Sequence, residues 1–317
     1  MDGLRDLSGE ERAAYFRGIH PIWGGGLDEG RFQLFQRRLA DAPEAAQRYR
    51  LLGWFEDGRL LSAMKAYDLQ GTCAHRALQL LGVGAVFTPP PLRRQGYAAA
   101  MLRAAMDEYR RRGAQAAVLF SDIEVAYYQR LGFHSLESRE CSVEAGALPG
   151  GAWAAQQKGR SGFRPAMAGD EPEMIRLFAA ARADETRFTL ARDGWTLRFQ
   201  LRRLRELARA RSVGEPEWGV IVDGEAAAMI RFGRNTVDVL EAGWTDERAR
   251  TVLFAGLRDC MQRAGRRRLR IWPAARLRGL FPESERTTAV AMIARLDETV
   301  PLPDPGGPAE LALLDHI

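Results

Sequence analysis

A strand, a run of three prolines and a glycine-containing turn into a helix follow one another in the first half of the chain. The apolar run Leu78–Thr88 predicts a buried strand, and Pro89-Pro90-Pro91 ends it. Residues 93–98 read Arg-Arg-Gln-Gly-Tyr-Ala and open the clearest helix, over 97–112, whose apolar residues recur at helical spacing. The sequence therefore predicts a strand that delivers a loop into a helix N-terminus.

Such a loop can hold a pyrophosphate. The first N–H groups of a helix have no partner within the helix and carry partial positive charge. Gly96 lets the backbone approach phosphate oxygens, Ala98 keeps that approach clear, and the Arg93 and Arg94 side chains can add charge-assisted hydrogen bonds. The candidate residues form one run, here called the phosphate loop: Arg93, Arg94, Gln95, Gly96, Tyr97, Ala98 and Ala99.

A second segment follows the predicted strand Ala116–Phe120. It begins a short helix near Ser121 or Asp122 and ends in Tyr-Gln-Arg-Leu-Gly-Phe at 128–133. With the phosphate loop, this segment resembles the two signatures of the GNAT acetyltransferase superfamily, a strand followed by RxxGxG/A and a later YxxLGF. The resemblance covers residues 1–145 by motif and residues 163–300 only by element order.

Two narrower resemblances point to different acceptors. The combination VFTPP…RRQGYA and LFSDI…YYQRLGF resembles the fungal lysine N6-acetyltransferase family. The arrangement of two GNAT-like halves is similar to that of the Eis-type aminoglycoside acetyltransferases. The acceptor is therefore expected to be an amine, and the motifs alone do not select one.

The resemblance implies acetyl-CoA as cofactor and assigns roles by position. The pantetheine arm would pair with the backbone of Val86, Phe87 and Thr88, and Ser121 stands where the family usually has Asn. Tyr128 would be the general acid, because the departing thiolate needs a proton and a tyrosine with a pKa near 10 still carries one at neutral pH. The adjacent Tyr127 is expected only to pack.

The general base stays open, because Leu80–Thr88 contains no carboxylate, whereas many GNAT enzymes have one there. Asp122 is a candidate base, although its position favours a helix N-cap over that role, and Glu124 is a second nearby acid that could bind the amine. Eis-type enzymes use their chain terminus, which here would be the carboxylate of Ile317. Trp23, beside Gly24–Gly26, either walls the acceptor pocket or packs under a surface loop.

The expected fold class is α/β with mixed sheets, built as two tandem GNAT-like domains. Residues 1–147 would form the catalytic domain, 148–162 a Gly- and Ala-rich linker, 163–300 a degenerate domain and 301–317 a tail with an apolar end. Ala242–Glu247 lacks RxxGxA and places acids at a helix start, so the second half is not expected to bind the cofactor.

Local patterns predict several element boundaries. Periodicity favours helices over 10–18 and 28–40, with a loop at His20–Gly26 between them. Asp57-Gly58 predicts a hairpin turn, and the chain from 133 to 143 is expected to form a single strand.

Composition and charge limit the classes of ligand and partner that the chain is expected to bind. The net charge is +5, and every basic residue except Lys65 and Lys158 is an arginine, interspersed with acids and without a basic tail. This pattern suits a phosphate-rich ligand and shows no nucleic-acid signature. The cysteines and histidines lack metal-ligand spacing, and no apolar run is long enough for a bilayer. We expect no metal, no nucleic acid, no membrane contact and a cytoplasmic location.

The sequence thus predicts an N-acetyltransferase that moves an acetyl group to a primary amine of a small molecule, with a lysine-like acceptor as the best guess, by direct attack in a ternary complex. An enzyme acting on protein lysines or N-termini is one alternative, and a non-catalytic acyl-CoA-binding sensor is another. Aminoglycoside acetylation is supported only by the two-half arrangement.

Overall fold

Two mixed β-sheets flanked by helices make up this computed structural model, which confirms the α/β class. The structure describes residues 2–122, 125–148, 164–165, 168–181, 186–211, 220–222, 224–233, 235–273, 277–312 and 315. The helices are α1 Gly9–Trp23, α2 Glu29–Ala40, α3 Ala45–Arg48, α4 Tyr97–Arg111, α5 Val125–Gln129, α6 Glu171–Ala181, α7 Gly194–Arg211 and α8 Glu247–Arg263. The strands are β1 Gly3–Asp6, β2 Tyr49–Glu56, β3 Arg59–Cys73, β4 Arg76–Phe87, β5 Ala116–Ser121, β6 Phe133–Ser135, β7 Arg139–Glu144, β8 Arg164–Pro165, β9 Phe188–Leu190, β10 Val220–Val222, β11 Ala226–Phe232, β12 Thr236–Trp244, β13 Arg268–Ile271, β14 Glu283–Glu285, β15 Val290–Arg295 and β16 Ala309–Glu310.

The first sheet has the order β1-β2-β3-β4-β5-β15-β6, and off this order β9 pairs with β3 and β16 pairs with β9. Neighbours along this order are antiparallel except β4 and β5, which run parallel. Alternate residues of β3 face opposite sides, as the pleat requires. Ala63 and Tyr67 pack with α1 and α2, whereas Met64 and Ala66 pack with α4.

The second sheet has the order β14-β7-β13-β12-β11-β10-β8, with β12 and β13 parallel. Its apolar residues again divide between two faces. Leu253 and Leu257 of α8 pack on one face, and Leu177 and Phe178 of α6 pack on the other. The second half therefore repeats the layered arrangement of the first.

Strands cross between the two sheets in both directions. Strand β15, from the second half, lies between β5 and β6, and Ile293 pairs with Val118 on one side and His134 on the other. Strand β7, from the first half, lies between β13 and β14. The proposed domain limits at 147 and 163 stay a prediction, but the sheets do not divide there.

The expectation of a single strand over 133–143 is wrong. The chain breaks at Leu136–Ser138, so that β6 and β7 enter different sheets. Leu136 N donates to Ala291 O at 2.8 Å, and Ser138 Oγ accepts from Ala291 N at 3.0 Å. These bonds to β15 satisfy the backbone where a continuous strand would have formed ladder bonds.

The loop expected to start at His20 is also wrong, because α1 continues through Pro21 to Trp23. Ile19 is fully buried, and Gly24 N donates to His20 O at 2.7 Å, so that the last turn forms despite the missing N–H of Pro21. The hairpin at Asp57-Gly58 is confirmed, with both residues at positive φ.

Helix α7 belongs to the second half in sequence but packs on the first. Trp195 and Phe199 stack on each other and join the core that contains Tyr49 and Tyr67. Trp195 Nε1 also donates to the backbone oxygen of Glu44 at 2.7 Å. This packing brings the C-terminal part of α7 over the open face of the first sheet.

The tail docks through its apolar end, as expected. Ala309 and Glu310 of β16 pair with β9, and Leu311 and Ala312 are buried. Asp315 Oδ2 accepts from a terminal nitrogen of Arg192 at 2.7 Å. The described part of the tail is therefore an integral part of the fold.

The strand exchange predicts that a second-half residue stabilises the first sheet. Ile293 is fully buried, so Ile293→Ala should lower the free energy of unfolding by about 2–5 kcal/mol through lost burial and a residual cavity. Urea denaturation measures this change. Leu280→Ala, at a side chain that is 41% exposed, is the control and should change stability by less than about 0.5 kcal/mol. Equal effects of the two substitutions would contradict the position of β15.

Candidate active site

The site begins where β4 and β5 cease to pair. Their last paired residues are Val83 and Leu119. Directly after this point β4 bulges, because Lys65 of β3 pairs with Gly84 while Ala63 pairs with Phe87. The bulge leaves the end of β4 and the end of β5 on opposite sides of a gap.

Helix α1 holds the bulge in place. Ala85 adopts a positive φ of 45°, and its carbonyl accepts from the Tyr15 hydroxyl at 2.6 Å. The ring of Phe87 lies against Gly18, where a Cβ atom would come within 2.4 Å of the ring. A side chain at Gly18 would therefore push α1 away from the strand.

A cavity of about 600 Å³ opens at this gap. Its wall combines the ends of β4 and β5, the phosphate loop, α5 and the facing surfaces of α1, α2 and α7. The predicted site residues in its lining are Trp23, Val86, Phe87, Thr88, Arg93, Arg94, Gly96, Tyr97, Ala98, Ala99, Ser121, Asp122 and Tyr128. The structure therefore brings most of the predicted residues together.

The phosphate loop has the backbone of an anion cradle. Arg94 and Gly96 both have positive φ, of 64° and 87°, and Gly96 is the N-cap of α4 without a side-chain cap. The first intrahelical bond runs from Ala100 N to Gly96 O. The preceding N–H groups of this helix start lie at the cavity wall, where an anion can accept from them.

Two side chains of the loop bond back to the chain before it. Arg93 Nε donates to Thr88 O at 3.1 Å, and Gln95 Nε2 donates to Pro91 O at 3.1 Å. Gln95 does not contribute to the cavity lining. Its side chain therefore fixes the shape of the loop, and a contact from its backbone N–H to the pyrophosphate stays a prediction.

Tyr128 lies on the cavity wall and is only 7% exposed. Burial, together with Tyr127 and Asp122, raises the pKa of Tyr128 to about 12, so its hydroxyl keeps its proton at neutral pH. Tyr127 also lines the cavity, although it was expected only to pack. The two rings meet edge to face, with centroids 5.0 Å apart.

Of the three candidate bases, the structure describes only Asp122. Asp122 lines the cavity, and its Oδ1 accepts from Ala289 N at 2.9 Å, which ties the end of β5 to the start of β15. Glu124 and Ile317 lie outside the described residues. Over 300–312 and at 315, no tail residue lines the cavity.

Residues that the sequence analysis did not select also line the cavity. Lys65 Nζ donates to Gln36 Oε1 at 2.9 Å, and burial together with nearby Arg203 lowers the pKa of Lys65 to about 7. Arg203, Leu207 and Arg211 come from α7. The rarity of lysine in this arginine-rich chain was a usable signal for Lys65, because a lysine can lose its proton where an arginine cannot.

The second half has a different helix start. Asp246 caps α8 by accepting from Ala249 N at 2.8 Å, so a carboxylate already occupies that end. The opening beside Val239–Ala242 holds only about 10 Å³. That this half does not bind the cofactor stays a prediction.

Two further kinds of site were considered for the described part of the chain, a metal centre and a membrane-spanning helix. No group of three or more His, Cys, Asp or Glu side chains in it is placed to hold a metal ion. Within the same part, no helix is both long and apolar enough to cross a bilayer.

Comparisons with known proteins agree with this geometry. A family model described as an acetyltransferase (GNAT) domain matches residues 27–135. A search of curated proteins gave no match to this chain.

Several solved structures share the fold. A probable N-acyltransferase from Enterococcus faecalis superposes with a TM-score of 0.70 at 14% identity, over 94% of this chain and 73% of that one. A GCN5-related N-acetyltransferase from Kribbella flavida superposes with a TM-score of 0.66 at 17% identity, over 93% of this chain and 72% of that one. Eis1 from Mycobacterium abscessus superposes with a TM-score of 0.60 at 17% identity, over 94% of this chain and 74% of that one.

At these identities the solved structures establish the fold alone, and the family model establishes the domain. Residues 27–135 carry the phosphate loop and Tyr128, the two motifs by which the superfamily is identified. Residues 27–135 therefore match a GNAT acetyltransferase domain, and the chain shares the fold of these N-acyltransferase structures.

Proposed function

We propose that this chain is an acetyl-CoA-dependent N-acetyltransferase that acts on a primary amine of a small molecule, by direct attack in a ternary complex. One observation carries the proposal: a single cavity joins the uncapped start of α4 to the buried hydroxyl-bearing side chain of Tyr128. A phosphate-bearing donor and a proton source are thus placed on the same wall.

The residues present fit acetyl-CoA. The positive φ of Arg94 and Gly96 and the uncapped helix start suit its pyrophosphate. The gap beyond Val83 and Leu119 leaves room for a pantetheine arm beside the backbone of Val86–Thr88. GNAT enzymes use acetyl-CoA, which supplies an acetyl thioester when bound.

Tyr128 would hold the proton that the leaving thiolate requires. The amine nitrogen forms the new bond to the acetyl carbon, the carbon–sulfur bond breaks, and the Tyr128 hydroxyl protonates the sulfur. The amine must lose a proton, which Asp122, Glu124 or the carboxylate of Ile317 would accept, directly or through water. Ser121, buried at the end of β5, would contact the pantetheine in place of the usual Asn.

The deciding experiment measures thiol release from acetyl-CoA with a panel of lysine, ornithine, polyamines, aminoglycosides and a lysine peptide. Release that depends on a free small amine supports the proposal. Release only with the peptide would favour a protein acetyltransferase, and acetyl-CoA binding without any release would favour a sensor.

Tyr128→Phe should lower kcat by about 100-fold or more, since general-acid catalysis typically contributes about 10²–10⁴. The dissociation constant for acetyl-CoA, measured by calorimetry, should stay within about twofold if Tyr128 acts in the chemical step. Because the pKa of Tyr128 is raised to about 12, loss of its proton should not lower the wild-type rate between about pH 7 and about pH 10. An unchanged kcat in the variant would rule out this role.

Gly96→Ala should weaken acetyl-CoA binding by about tenfold, because an alanine at this positive φ costs about 1–2 kcal/mol and shifts the loop backbone. Gly113→Ala is the matched control, since Gly113 has a similar φ of 92° at the opposite end of the same helix. Calorimetry should show similar affinity in the control and in the wild type, with one bound acetyl-CoA per chain. Equal weakening in both variants would assign the effect to stability instead of ligand contact.

A further inference from the structure

The inner part of the cavity carries an unusual charge balance. Lys65 of β3 and Arg203 of α7 both line it, and Arg211 lies at the same helix's end. Among the described lining residues the one carboxylate is Asp122, whose Oδ1 accepts from Ala289 N. A pocket shaped for a polycation would be expected to present carboxylates instead.

The charge of Arg203 acts on Lys65. Burial and the charge of Arg203 both lower the pKa of Lys65, and burial is the main cause of a lowered pKa at Arg203. The hydrogen bond from Lys65 Nζ goes to Gln36 Oε1, a neutral oxygen that compensates no charge. An anion bound beside Lys65 would favour its protonated form, on a wall that Arg203 also lines.

The groups that act on the pKa of Arg203 include a further arginine and two phenols. Arg231 adds a further positive charge, and it is paired to Asp238 at 2.7 Å. Asp238 also accepts from Arg270, at 2.9 Å. The phenols of Tyr49 and Tyr67 are buried, which raises both their pKa values and keeps them neutral.

This cationic pair is separate from the phosphate loop. Lys65 pairs with Gly84, before the bulge, whereas the loop begins at Arg93, after the end of β4. The pyrophosphate cradle and the Lys65–Arg203 pair thus lie on opposite sides of the bulge along β4. An anion at the pair would belong to the acceptor and not to the cofactor.

We infer that the acceptor carries an acidic group, a carboxylate or a phosphate, in addition to its amine, and that Lys65 and Arg203 bind this group. The inference rests on the proposed function and narrows its substrate class. It favours amino acids and phosphorylated amines and disfavours polyamines and aminoglycosides, because these polycations would be repelled by the pair. Lys65 and Arg203 are then specificity-determining residues that orient the amine toward Tyr128.

Matched pairs of amines test the inference. Lysine is compared with cadaverine, which lacks the carboxylate, and glucosamine 6-phosphate with glucosamine. We expect the acidic member of at least one pair to show a kcat/KM about tenfold higher or more, the effect of one charge-assisted hydrogen bond. The pair that responds distinguishes a carboxylate from a phosphate.

Lys65→Met and Arg203→Met should remove this preference while the KM for acetyl-CoA stays within about twofold. Arg209→Met is the control, because Arg209 is an exposed arginine on the same helix that does not line the cavity. The control should keep the wild-type preference. A preference that survives in both cavity variants would overturn the assignment.

Failure of the inference and failure of acetyl transfer give different results. Turnover of neutral amines or polycations with equal or greater efficiency would overturn the acidic acceptor and leave acetyl transfer intact. If no amine is acetylated, acetyl transfer is excluded, and calorimetry with the same pairs in the presence of coenzyme A decides the inference. Equal binding, or absence of binding, of both members of each pair would then overturn it.

Discussion

The end of pairing between β4 and β5 is the constraint on which the site depends. Parallel strands that part in the middle of a sheet leave backbone groups in need of other partners. Here the bulge after Val83, fixed by the Tyr15 hydroxyl on the Ala85 carbonyl, makes the separation part of the fold. The start of α4 and Tyr128 can act on one bound ligand because both border the same opening.

The second half contributes to this opening without having one of comparable size among its described residues. Asp246 caps its helix start, which removes the anion cradle. Its helix α7 instead packs through Trp195 and Phe199 on the first half and supplies Arg203 and Leu207 to the cavity wall. We interpret the second half as the structural unit that closes the acceptor side and sets its charge.

The sequence predicted what depends on local patterns. The phosphate loop was found because strand, proline turn and helix follow one another within one short segment, and Tyr128 was found through its motif. Arg203 could not be found, because its position depends on the packing of α7 across the molecule. The exchange of β7 and β15 could not be predicted from the sequence either. The break at Leu136–Ser138 is stabilised by hydrogen bonds to Ala291, which lies far along the chain.

The placement of β15 also affects how the protein forms during synthesis. Ser121 ends the strand that borders the cavity, and its pairing partner is Val290. At about 5–20 residues per second, a ribosome needs about 8–32 more seconds after finishing α5 before it reaches β15. Until then β5 and β6 lack the strand that lies between them, and β5 exposes an edge to other chains. The first sheet therefore begins to form from the N-terminal half but is completed only after β15 has been synthesised.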